Sequence, residues 1–232
     1  ADFLAYGLRA RGASRSAASA GHPLIAASAG ALAFAAAFTP QLLAYTALNG
    51  HPGATETAAR KMTWTAPHAL SVLFSPEHGL FAWTPLALVA IIGLLLLWRR
   101  GTGAPAAPGQ RADQDARRIA GLALLMVAVQ AYSSGSVESW TVAGSFGQRR
   151  FVALTPLLVL GLAALFARAR SGWPRRALLT IVVLCIWWNL GLMAQFGLNR
   201  MDRQRLTLTE NARVTFLELP LAAPAIAWRY LT

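Results

Sequence analysis

Ala177-Leu-Leu-Thr-Ile-Val-Val-Leu-Cys-Ile-Trp-Trp-Asn-Leu-Gly-Leu-Met-Ala-Gln-Phe-Gly-Leu198 runs for 22 residues without a charged side chain. As a helix this stretch is roughly 33 Å long, enough to cross a hydrocarbon layer of about 30 Å. It is not alone. Residues 24–48 are Ala-rich and interrupted by Pro40, residues 79–98 end in four leucines at 94–97, and 119–132 and 151–167 are shorter apolar runs. Apolar residues make up 56% of the 232 and charged residues only 13%, where a soluble domain carries about 25% charged. Mean hydropathy is +0.45. The expected fold is an all-α integral membrane protein of about five transmembrane helices.

Charge sets the expected topology. Twenty-one Lys and Arg against nine acids give a net charge of +12. In a soluble chain that balance would suggest nucleic acid. Here the arginines flank the hydrophobic runs, the pattern that orients a membrane protein, and no nucleic-acid partner is expected. The connections 99–118 and 168–176 are short and basic, so the positive-inside rule places them in the cytoplasm together with residues 1–23. The amino terminus is then cytoplasmic and residues 199–232 form an extracytoplasmic tail. Twelve basic residues fall inside by this assignment and nine outside. Arg-over-Lys and Ala-rich usage points to a bacterial chain, hence to the plasma membrane.

The outer segments are the chemically richer ones. Thr65 before Ala66-Pro67 predicts a capped interfacial helix over 66–74, and a second short helix is expected over about 209–219. Glu138 and Trp140 open a segment that runs through Gly144-Ser-Phe-Gly-Gln-Arg-Arg150 into the fourth span. Gly147 allows close backbone approach, and Gln148, Arg149 and Arg150 stand where a helix enters the bilayer at phosphate depth. That suits a lipid phosphate. Ordinary snorkelling to headgroups is the competing reading, and Arg149 is expected to face an interior cavity while Arg150 snorkels. Glu77 and His78 stand at the mouth of the second span, able to act in acid/base chemistry or simply to start a helix. Phe81 and Trp83 read as an aromatic belt. Asn189 and Gln195 read as hydrogen-bonding links between helices.

Several classes are excluded. His22, His51, His68 and His78 have no metal-ligand spacing, so no metal is expected, and a divalent cation has no support. The lone Cys185 forms no disulfide, the Gly-rich stretch 101–109 lacks the Gly-Lys-Ser/Thr of a phosphate loop, and no ionisable residue stands at mid-depth as a proton relay would need.

Ser75-Pro-Glu-His-Gly-Leu-Phe-Ala-Trp-Thr-Pro85 followed by a Leu-rich span, then Gly144-Ser-Phe-Gly-Gln-Arg-Arg-Phe-Val-Ala-Leu-Thr-Pro156, resembles the later half of bacterial GT-C-type membrane glycosyltransferases of the protein mannosyltransferase and aminoarabinose transferase group. The likeness covers roughly residues 60–170. It implies a polytopic enzyme that moves a sugar from a polyprenyl-phosphate carrier to an envelope acceptor on the outer face. Arg149 would then contact the lipid phosphate, and Glu77 and His78 would line the same cavity. That family carries its catalytic acid in a first outer loop, which nothing here matches, so a front half or partner subunit is expected to supply it. No catalytic residue is assigned. An O-antigen ligase- or polymerase-like enzyme, or a non-catalytic subunit of an envelope complex, are the alternatives.

Overall fold

A computed structural model describes residues 23–65, 67–99 and 110–222. The chain divides into two compact units, residues 1–60 and 61–232. The first contains α1 (Pro23–Asn49), a 27-residue helix that continues through Pro40, and the single-turn α2 (Glu56–Arg60). Proline at position 40 cannot donate within the helix. The hydroxyl of Thr39 just before it bonds back to the Ala35 carbonyl.

The second unit is a bundle. Its elements are α3 (Ala69–Phe74), α4 (Leu80–Trp83), α5 (Pro85–Trp98), α6 (Gln110–Gly135), α7 (Thr155–Arg168), α8 (Gly172–Gly197) and α9 (Leu208–Arg213). Four helical stretches in the described residues are long and apolar enough to cross a membrane: 27–49, 114–135, 149–168 and 172–197. The 14-residue α5 is apolar but shorter. The fold is that of an all-α membrane protein.

Small residues set the closest helix crossing. Ala87, Ala90 and Gly93 recur on one face of α5 and are buried. A Cβ on Gly93 would stand 1.9 Å from the carbonyl oxygen of Gly161 on α7, and a Cβ on Gly161 would stand 2.0 Å from that of Ala90. The two backbones therefore touch, the contact that small residues permit between membrane helices. Leu94, Ala120 and Ala123 fill the α5–α6 seam.

Four expected boundaries shift, three for a local reason and one through a distant partner. The span expected over 79–98 is broken at Thr84, where Pro85 opens α5 and cannot donate back to α4. The run expected from 119 extends to Gln110–Gly135, because its polar first turns are helical too. The fourth span starts as a 3₁₀ stretch, Arg149–Leu154, and becomes α-helical at Thr155 with Pro156 in its first turn. The interfacial helix begins at Ala69 rather than 66. Its cap is His68, with no side-chain cap bond, because the His68 amide is committed to the Gly135 carbonyl at the end of α6. Ala66 lies outside the described residues.

The tail helix starts at Leu208, close to its expected place, but widens into a π turn over Val214–Glu218. Thr215 there packs into the notch left by Gly191 on α8, and its carbonyl accepts from Trp187 Nε1 at 3.2 Å. The interhelical reading of Asn189 and Gln195 holds. Gln195 donates to Thr215 Oγ1 at 2.8 Å and its oxygen accepts from Asn211 at 2.8 Å. Asn189 donates to the Trp83 carbonyl at 2.6 Å.

Candidate functional site

The end of α6 and the starts of α5 and α7 meet at one end of the bundle, as does the end of α8. Three loops close over this end: 75–79, 136–148 and 199–207. Pro76 ties the first to the third, its carbonyl accepting from the amides of His78 (3.1 Å) and Leu206 (3.0 Å) and from Trp83 Nε1 (3.1 Å).

His78 sits at the centre. Its φ of 67° is left-handed, uncommon for any residue with a Cβ and a sign that surrounding structure holds it there. The side chain is fully buried and stacks on Trp83 at 4.8 Å with ring planes 7° apart. Neither ring nitrogen has a partner at full hydrogen-bond geometry, but backbone groups of Arg203 and Ser145 lie near enough to act on the ring. Burial pushes the His78 pKa below the usual imidazole value. Backbone groups of Arg203 and Ser145 and the charges of Asp202 and Glu77 oppose that shift without overcoming it. The ring is therefore neutral near pH 7.

Gln148 joins the two loops. Its amide nitrogen donates to the carbonyls of His78 at 3.2 Å and Trp140 at 3.3 Å, leaving Oε1 buried and without a partner. Ser145 Oγ is buried and unpartnered as well. Among the described residues, every buried side-chain atom without a partner belongs to His78, Ser145 or Gln148. Such atoms are rare in folded proteins unless water reaches them.

The other expected residues divide. Gly147 is buried with φ 57°, as a tight turn requires. Trp140 is half-buried and stacks on His68 at 5.5 Å. Glu77 is half-buried, its amide capped by Ser75 Oγ at 3.0 Å. Glu138 is exposed, its amide paired with the Lys61 carbonyl at 2.8 Å. The arginine pair has the opposite disposition to that expected. Arg150 turns back into the protein, donating to the carbonyls of Ser134 (3.3 Å) and Ser139 (3.1 Å), while Arg149 is exposed and makes no hydrogen bond to the described residues. Arg150 is thus a structural tie, and the Arg149 side chain is exposed.

Trp83 is not an aromatic-belt residue. It is fully buried and begins a ring series that passes to Phe146 and Phe196, each step edge-on at 5.5 Å, with Arg203 lying 4.7 Å over Phe196. The strap Asn199-Arg-Met-Asp-Arg-Gln-Arg205 that carries Arg203 is absent from the sequence reading of the site. Its signal was present: basic residues crowd a tail assigned to the side where they should be scarce.

Two hollows lie elsewhere. A groove of about 1050 Å³ opens between α5 and α6 at the opposite end, lined by Leu95, Trp98, Arg118 and Leu125 among others. A polar hollow of about 350 Å³ is lined by strap residues with Thr207, Glu210 and Asn211. No group of three or more metal-ligating side chains occurs among the described residues.

The helices define a multi-pass, all-α membrane protein. Comparison with protein families, with curated proteins and with solved structures finds no match for the chain.

Proposed function

We propose that this chain is the later, membrane-embedded part of a glycosyltransferase that takes a sugar from a polyprenyl-phosphate carrier at the outer face of a bacterial plasma membrane. One observation carries the reading. The two segments that resemble such transferases, 75–85 and 144–156, close on each other through the Gln148–His78 hydrogen bond, beside the buried Gln148 Oε1 and Ser145 Oγ, which have no partner among the described residues. A lipid-linked substrate needs a polar site beside the membrane and a cation for its phosphate. Arg149, exposed at the start of a membrane-long helical stretch, offers its guanidinium at that depth. In this orientation the amino terminus and the basic connections are cytoplasmic. The present chain holds the donor.

The test is binding. Purified chain in phosphatidylcholine nanodiscs, titrated with decaprenyl phosphate, should bind it well above phosphatidylglycerol. Arg149→Ala should weaken that binding by up to about fivefold, which at roughly 1.4 kcal/mol per decade is the loss of about 1 kcal/mol from an exposed guanidinium–phosphate contact. Binding of decaprenyl phosphate no tighter than that of phosphatidylglycerol would sink the reading.

A further inference from the structure

The groove between α5 and α6 lies at the end of the bundle away from the loop junction. Its volume of about 1050 Å³ stands at the upper end of the roughly 300–1,000 Å³ usual for ligand pockets. One wall is a single face of α6, where Arg117, Arg118, Gly121, Leu122, Leu125 and Ala128 recur at spacings of three and four. Polarity changes abruptly along that face. The two arginines stand at the mouth, and the residues from Gly121 to Ala128 form an apolar floor. From Arg118 to Ala128 the helix rises about 15 Å, half of a hydrocarbon layer of about 30 Å.

Trp98, at the end of α5, forms the other wall. A Cβ on Gly121 would stand 3.1 Å from its Nε1 and 3.2 Å from its Cδ1, so the indole occupies the space that a side chain at 121 would take. Arg117 is held across the mouth, its Nε donating to the Trp98 carbonyl at 3.2 Å. Arg118 meets Asp115 at 3.8 Å with both side chains largely exposed, a pair too weak to hold it from another anion. Among the described residues no acid lines the groove.

These features choose among occupants. A second copy of this chain carries the same net charge of +12 and gains nothing from a basic mouth. A lipid without net charge leaves the two guanidiniums unanswered. An apolar chain one leaflet long with an anion at its head matches both halves of the groove. We propose that the groove binds one anionic glycerophospholipid, its phosphate at Arg117 and Arg118 and an acyl chain along Leu122, Leu125 and Ala128. The site stands apart from the loop junction and does not depend on the transferase reading.

Trp98 supplies the assay. The full chain in phosphatidylcholine nanodiscs receives rising mole fractions of phosphatidylglycerol or phosphatidylcholine brominated in the acyl chain. Quenching at Trp98 is the part of the fluorescence loss that disappears in Trp98→Phe. Half-quenching should need about tenfold less phosphatidylglycerol than phosphatidylcholine, since each arginine near a lipid phosphate contributes about fivefold. Arg118→Gln should cut that ratio by about fivefold. Ala128→Phe fills the deep end from an exposed position, so it should weaken quenching by both lipids while the melting midpoint holds. Arg149→Ala, at the other end, should change neither. Equal quenching by the two lipids, or a preference that survives both groove substitutions, overturns the proposal and leaves bulk lipid there. Quenching by neither lipid also overturns it, with protein covering the groove. So does a preference lost on Arg149→Ala, which places the anion at the loop junction. Decaprenyl phosphate that displaces the brominated phosphatidylglycerol at a lower mole fraction than unbrominated phosphatidylglycerol does would assign the groove to the carrier lipid instead.

Discussion

Adding one methyl group at Gly93 should be among the most damaging small changes this bundle can suffer. The new Cβ would lie 1.9 Å from the Gly161 oxygen, 2.6 Å from its carbonyl carbon and 3.0 Å from Leu165 Cγ. Two of these neighbours are backbone, so no side chain can swing aside. Reaching ordinary contact needs α5 and α7 to separate by about 1.5 Å, and a gap of 0.5–1 Å already forfeits roughly a quarter to a half of each dispersion contact along the seam. Overpacking alone costs about 1–3 kcal/mol, so Gly93→Ala should lose about 3 kcal/mol or more once the opened seam is included. Gly30→Ala in α1 is the control. No atom lies within 4 Å of its Cβ position, and the exchange should stabilise the helix by about 0.5–1 kcal/mol. The assay is reversible unfolding in mixed micelles, or a melting midpoint by fluorescence-detected chromatography. Equal midpoints for the two variants would refute the backbone-contact account of this crossing.

The arginine pair should separate stability from binding. Arg150→Ala strips donors from the Ser134 and Ser139 carbonyls and should lower stability by about 1–3 kcal/mol, whereas Arg149→Ala should leave the midpoint unchanged. Equal midpoints for the two alanine variants would contradict the tie assigned to Arg150. For His78, burial favours the neutral ring in the folded protein, so the unfolded chain binds more protons below the ordinary value of 6.5. The stability this group contributes is full above that value and is lost as pH falls below it. His78→Phe should flatten this part of the midpoint-against-pH curve. An unaltered slope would show that other groups set it.

Much of the architecture was legible because membrane helices announce themselves by length and lack of charge, and the spans at 24–48 and 177–198 appear within a few residues of their expected ends. Boundaries failed where a backbone group found a distant partner. His68 caps α3 because Gly135, far along the chain, accepts its amide. The two halves of the site could be named from sequence, but not the fact that they meet, which depends on Gln148 reaching the His78 carbonyl. Ser145 carried no pattern at all. The orientation of the arginine pair depends on the Ser134 and Ser139 carbonyls that Arg150 reaches, which no local pattern reveals.

The break between α4 and α5 has a consequence for how the protein is made. Pro85 carries no N–H and the Ala87 amide is committed to Thr84, so the Trp83 carbonyl is left to Asn189, while Trp188 donates to the carbonyl of Ala82 at 3.2 Å. Those partners lie 106 residues downstream. At synthesis rates of about 5–20 residues per second, α8 emerges roughly 5–20 seconds after the break it completes. During that interval the carbonyls of Ala82 and Trp83 lack the partners that α8 supplies, and water at the end of the bundle is what can satisfy them.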